Sequence, residues 1–286
     1  MTFSAKIDIK NDMNRLFSYI LLVLMLISVN LADVMPARAE QTPLVEGKAL
    51  RYDVFLGTMR VGVIKVTLKN STSGYDYTAD LDSLNLARYI MKYDSINRVV
   101  GKISNNKHIP LSYRSKWRQK KYDQDLLVRY SPEGDVLEET ITGSWWKDNP
   151  EVEAAQKKNI PDPITAAVVS MQKIKQLMQD KTPLPHNFDF PVYDAKRLLN
   201  LKYTIHGYKE KKVAGERKQL LHVSFKQEAL AGWRESELKR LHERDAVINL
   251  YLDENYIPVL GFGQSQIGDL EIKLAKECSN LTSCNI

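Results

Sequence analysis

The chain has 286 residues, a formal net charge of +6 and two cysteines. That length can bury a core unaided, which excludes a fold that depends on disulfide staples. The mild positive excess permits contact with anionic lipid heads or wall polymers without requiring it.

The first forty residues are unlike the rest. Lys6, Lys10 and Arg15 supply positive charge, Leu16 to Val29 runs almost entirely apolar, and Pro36 precedes Ala37-Arg38-Ala39. A charged start, a short apolar core and a small-x-small end form a secretory signal peptide. Ala37 and Ala39 suit the protease pocket, so cleavage is expected between Ala39 and Glu40. The rival reading is an uncleaved membrane anchor. A span needs about 20 apolar residues, and Asn30 and Asp33 end this run early. The compact leader could equally start at Met13. No Cys follows the cleavage site, which argues against an acylated lipoprotein. Cleavage removes four basic and three acidic residues and leaves 247 residues at +5. The processed chain, 40–286, is read as a single exported β-rich domain with no transmembrane segment.

Beyond the leader, apolar and polar residues alternate with period two, the mark of half-buried strands. Leu50, Tyr52, Val54 and Leu56 begin the series, followed by Ile64, Val66 and Leu68, then Tyr75, Tyr77, Ala79 and Leu81. Ile109, Leu111, Tyr113 and Trp117 share one parity, with Arg114, Lys116 and Arg118 on the other. Leu126, Val128 and Tyr130 continue it. Later come Leu199, Leu201, Tyr203 and Ile205, then Val223 and Phe225, then Ile248, Leu250 and Leu252, and finally Leu270, Ile272 and Leu274. Such alternation predicts antiparallel sheet with one wet face. Turn signals such as Gly57-Thr58, Ser73-Gly74 and Ala214-Gly215 suit hairpins.

Between the two β runs, Asp162 can cap a helix and Pro163 fits its first position. Ile164, Ala167, Val168, Met171, Ile174 and Met178 recur at helical spacing to about Asp180, and Pro183 and Pro185 stop continuation. The fold class expected is therefore mainly β: a large curved antiparallel sheet, or an open barrel-like one, packed on one amphipathic helix at about 162–180. Asn85 to Met91 is a candidate short helix. Arg234 to Arg244 reads as a helix or as a strand with a long loop. Cys278 and Cys284 end an exported chain that has no other cysteine, which favours a disulfide.

The search for chemistry yields near-misses. Gly263-Gln264-Ser265-Gln266 begins like a nucleophile elbow, but Ile267 replaces the second Gly. Gly261-Phe262-Gly263 lacks the rest of a dinucleotide fingerprint. His242-Glu243 lacks its second His, because Ala246 stands there. If Tyr203 pairs opposite Phe225, His206 faces His222 across two strands. Two imidazoles are too few for a stable zinc site, so an exposed polar pair is the reading. Asp76, Asp80 and Asp82 fall on a solvated strand face. The basic runs Lys116–Lys121 and Lys209–Lys212 read as solvated surface, and export argues against nucleic acid. Trp145 and Trp146 are adjacent, so on a strand they face opposite sides, and with Trp117 they mark a candidate interaction surface. No catalytic residue, cofactor or metal is implied.

Several segments together resemble the bacterial domain-of-unknown-function 3108 family. They are Tyr52 to Gly57 with Val61-Gly62, Ile109 to Tyr113, Asp162 to Ala166, and Ile248 to Leu274 with Pro258 and Gly268. The resemblance spans most of 46–276 and implies an exported periplasmic protein of Gram-negative bacteria with a curved antiparallel sheet. It supplies no catalytic residues. The Cys278–Cys284 loop and Arg234–Arg244 lie outside its pattern. The function expected is a non-catalytic envelope protein that binds a partner protein, a lipid or an anionic wall polymer. The alternative is a hydrolase acting on an envelope polymer.

Overall fold

The computed structural model describes residues 46–286 except 85–86, 90–91, 120–121, 144–148, 243–245, 266–267, 280–283 and 285–286. The expected leader with its Ala39–Glu40 junction, and Trp145 and Trp146, lie outside the described residues.

The strands are β1 Glu46–Leu56, β2 Met59–Asn70, β3 Gly74–Ser83, β4 Tyr93–Ser104, β5 Lys107–Gln119, β6 Tyr122–Tyr130 and β7 Val136–Gly143. After helix α1, Pro163–Gln179, come β8 His186–Tyr193, β9 Leu198–Val213 and β10 Glu216–Ala231. Helix α2, Glu235–His242, precedes β11 Ile248–Leu252, β12 Pro258–Ser265 and β13 Gly268–Cys278. All pair in one 13-stranded sheet of order β7-β6-β5-β4-β3-β2-β1-β13-β12-β11-β10-β9-β8. Every neighbouring pair is antiparallel. The chain's first and last strands meet mid-sheet, Val54 opposite Ile272. The open edges, β7 and β8, are neighbours in sequence, and the connection between them carries α1.

Turn chemistry matches this meander. Asn105 and Asn106, at φ 51° and 60°, join β4 to β5, and Ala214 and Gly215, at 49° and 92°, join β9 to β10. Two successive positive-φ residues give the hairpin turn whose twist suits its strands.

The alternation places Leu50, Ile64, Val99, Tyr113, Val128, Leu201, Val223 and Leu250 on the inner face, each at most 2% exposed. Helix α1 lies against β3, β4 and β5 on one half of the sheet and β8 on the other. The sheet must curl around the helix to make both sets of contacts. Asp162 caps α1 as expected, accepting from the Ile164 and Thr165 amides at 2.9 and 3.1 Å. Ala166, Ala167, Val168, Met171 and Ile174 are all within 2% of complete burial. The helix is thus the filling of the curled sheet rather than an external brace.

Two expectations need correction. Leu111 does not share the parity of Tyr113. A bulge sets Val100 opposite Ser112 and Gly101 opposite Pro110, and turns Leu111 outward at 38% exposure. His222 is not an exposed partner of His206. It is 6% exposed, sandwiched between His206 and Tyr251. Residues 87–89, the described part of the Asn85–Met91 candidate, are helical. Within Arg234–Arg244, Glu235–His242 forms the helix α2.

Candidate functional site

Three groups of polar side chains stand out, and the fold seals two of them. The first lies at the start of α1. Tyr75, on β3, shares a 3.0 Å hydrogen bond with Thr165 Oγ1. Its ring stacks on Tyr77 with centroids 4.6 Å apart. Tyr77 donates to Asn70 Oδ1 at 2.7 Å and meets His108 Nε2 at 3.1 Å. Burial pushes the Asp162 carboxyl up to about 6, and the bonds from Thr165 and Ile164 pull it back only in part. Burial also pushes His108 down to about 4 and raises Tyr75, Tyr77 and Tyr130. Asp162 is 0% exposed and its Oδ2 has no hydrogen-bond partner among the described residues. A carboxyl and phenols within one low-dielectric cluster have the makings of proton chemistry, but no substrate reaches a carboxylate that water cannot touch.

The second group ties the open edges together. Glu139 of β7 accepts from Tyr193 of β8 at 2.8 Å and from Lys157 at 2.5 Å. Burial, then the Glu139 charge, raises the Tyr193 hydroxyl. Nearby, Arg197 Nη2 donates to Asp194 at 2.6 Å, and its guanidinium lies 4.5 Å from the Trp233 ring centre. Burial pushes Glu237 up, but Arg197 and Arg234 outweigh it and hold the carboxyl below its usual range. Asn149 donates to both Glu237 and the Gly232 carbonyl. Every charge here is matched, so the network locks α2 and the β8–β9 turn.

The accessible chemistry lies on the outer face. Across β4, β5 and β6, Arg118 donates to Asp94 at 3.1 Å and Arg114 to Asp125 at 2.6 Å, and Lys116 pairs with Asp125 at 3.2 Å. Asp94, Lys116, Trp117, Arg118, Asp123 and Asp125 line a shallow cleft of about 390 Å³. On the other half, a row of rings crosses β9 to β12. His206 and His222 stack at 4.3 Å, His222 and Tyr251 at 4.9 Å, and Tyr251 meets Phe262 edge-on at 5.7 Å. His206 Nε2 bonds Ser224 Oγ at 2.7 Å and His222 Nε2 bonds Asn249 Oδ1 at 2.8 Å. Burial, then Lys209, lowers His206. Burial lowers His222 as well, with His206, Lys209 and Lys211 adding to it. Both shifts disfavour the charged imidazolium. No group of three or more His, Cys, Asp or Glu among the described residues could hold a metal ion.

Of the residues singled out by sequence, Cys278 and Cys284 are joined in a disulfide. Trp117 is half-buried on the inner side, its ring stacked on Tyr93 at 6.4 Å and packed against the main core. Asp76 answers Arg98 at 2.7 Å on the outer face, while Asp80 is pushed up to about 6 by burial and by Asp82. Sequence reasoning missed the small outer core of Leu220, Tyr251, Val259 and Leu260, on which Val213 and Phe262 pack. Its signal was present: Tyr251 falls on the parity opposite Leu250 and Leu252.

A family model described as "Protein of unknown function (DUF3108)" matches residues 51–275. Among curated proteins no relative matches the chain. A solved structure from Brucella abortus, titled as a beta-barrel-like protein of domain of unknown function DUF1849, aligns with a TM-score of 0.49 at 10% identity. The alignment covers 82% of this chain and 98% of that one.

Proposed function

This chain belongs to the family of proteins of unknown function DUF3108, and from that premise we propose that it is a non-catalytic, exported envelope protein that engages its partner on its outer surface. The observation that carries the reading is the filling of the sheet's interior by α1. A lipid- or ligand-carrying sheet keeps an apolar hollow of several hundred Å³. Here the corresponding face of the helix, from Ala166 to Ile174, is buried against the strands. The hydrolase alternative needs convergent titratable groups free to act at an accessible cleft, whereas Asp162, Asp194 and Glu237 are buried and structurally committed, and Asp94 and Asp125 of the outer cleft are ion-paired to Arg118, Arg114 and Lys116.

Export is supported by the leader pattern and by the Cys278–Cys284 bond, which belongs in an oxidising compartment. No helix among the described residues is long and apolar enough to cross a membrane. The test is native mass spectrometry on protein recovered from its own compartment, with N-terminal sequencing. The expected result is a chain beginning at Glu40 with no small molecule retained. A co-purifying lipid or metabolite released on denaturation would overturn the packed-interior reading. A retained leader would overturn cleavage after Ala39, and recovery from the cytoplasm would overturn export.

A further inference from the structure

The longest hairpin reaches beyond its neighbours. The last residue of β9 with a partner on β8 is Ile205, opposite His186, and the last residue of β10 with a partner on β11 is Leu221, opposite Leu252. From Gly207 to Leu220 the hairpin is a two-stranded ribbon with no strand on either side among the described residues. Between 207 and 219 it carries Lys209, Lys211, Lys212, Arg217 and Lys218 against Glu210 and Glu216, a net +3 in a chain whose total is +6. Half of the formal excess therefore sits on 13 residues.

The pairing sorts these residues onto two faces. Lys209 opposite Leu220, Lys211 opposite Lys218, and Val213 opposite Glu216 share one face. That face is pinned to the body. Lys211 Nζ lies 4.5 Å from the Tyr251 ring centre and 5.6 Å from that of Phe262, and Val213 packs on the small outer core. The other face carries Tyr208, Glu210 and Lys212 on β9 and Arg217 and Gln219 on β10, all exposed, above Leu221, which is fully buried at the ribbon's base. Tyr208 is 57% exposed there. Lys209 and Lys212 have no ion pair among the described residues.

We propose that the β9–β10 ribbon is a docking arm for an anionic phospholipid surface. The proposal rests on the outer-surface reading above and names the chemistry of the partner. Charge complementarity selects an anion, and the exposed basic side chains Lys209, Lys212, Arg217 and Lys218 surround the free end of the ribbon, which suits a plane rather than a groove-bound polymer. Tyr208 adds a ring with an apolar body and a polar tip, the kind of side chain that settles at a headgroup boundary.

The processed full chain is incubated with phosphatidylcholine vesicles, with and without phosphatidylglycerol, and bound protein is measured by flotation. Binding to the anionic vesicles alone is expected, abolished near 1 M salt, where screening shortens to about 3 Å. The double variant Lys209→Gln/Lys212→Gln is expected to bind about thirtyfold more weakly, at about fivefold per lysine near a surface. Tyr208→Ala is expected to weaken binding without changing its salt dependence. A control, Lys69→Gln/Lys107→Gln, removes the same charge from exposed positions elsewhere and is expected to leave binding within twofold. Equal binding to neutral vesicles, an unaffected ribbon variant, or binding to soluble polyphosphate but not to vesicles would each overturn the proposal. If vesicles fail while the native mass still shows an empty chain, only this inference falls.

Discussion

Replacing Asp162 by Asn separates the two jobs of that carboxyl. One oxygen caps α1, and Asn caps as well as Asp. The other oxygen is buried without a partner among the described residues. The cost of the charge can be worked out from its titration. Burial raises the folded value to about 6, against 3.8 for the free side chain. Between those values the native protein holds a proton that the unfolded chain has released. Stability therefore falls as pH rises from about 4 through 6 and stays lowered above. The shift corresponds to about 3 kcal/mol for a fully buried group. Roughly 0.5 kcal/mol of that is already lost at pH 4, where the unfolded carboxyl has begun to ionise. Asp162→Asn is thus expected to match the wild type in urea unfolding at pH 4 and to exceed it by about 2 kcal/mol at pH 8. A difference that is constant across pH, or an Asn variant weaker at pH 8, would refute the reasoning.

Other substitutions test the packing. Ile174→Ala empties a fully buried site on α1 and is expected to cost about 3–4 kcal/mol in the same assay. Gly232→Ala sets a Cβ 1.9 Å from the Lys196 carbonyl oxygen at φ +76°, so a loss of more than about 2 kcal/mol is expected. Gly57→Ala, at φ +58° with nothing within 4 Å, is expected to cost only about 1 kcal/mol of backbone strain. Cys278→Ser/Cys284→Ser opens a short loop at the chain's end, and is expected to cost no more than about 2 kcal/mol with the far-UV spectrum unchanged.

The sequence made most strands legible because one sheet face is wet, so polar and apolar residues alternate. The pairing of Tyr203 with Phe225 could be foreseen from a hairpin turn at Ala214-Gly215. The stacking of His206 on His222 then arises through a bulge, which sets His222 opposite Gly207. Bulges insert one residue without a compositional mark, and the same blindness misplaced Leu111. Strands β4, β7, β8 and β12 went unread: β4 buries the polar Ser95 and Asn97 on its inner face, and Val136–Gly143 of β7 is exposed or half-exposed along its length, which erases the alternation. Helix α1 was read to within a residue from its cap and spacing, yet its engulfment depends on where distant strands curl. The burial of Asp162 was equally illegible: a capping Asp reads the same in solvent and in a core. The outer docking face fared worst, since a lysine run reads as ordinary surface until the ribbon's missing neighbours are seen.

Its burial makes α1 a permanent part of the core rather than a lid over a ligand site. Amide hydrogen exchange along Ala166–Ile174 tests it most directly. Those amides are expected to exchange only through global unfolding, as slowly as the Leu50–Val54 and Val223–Phe225 strand amides. Exchange through a local opening several kcal/mol cheaper than global unfolding, with the strands still protected, would contradict the account.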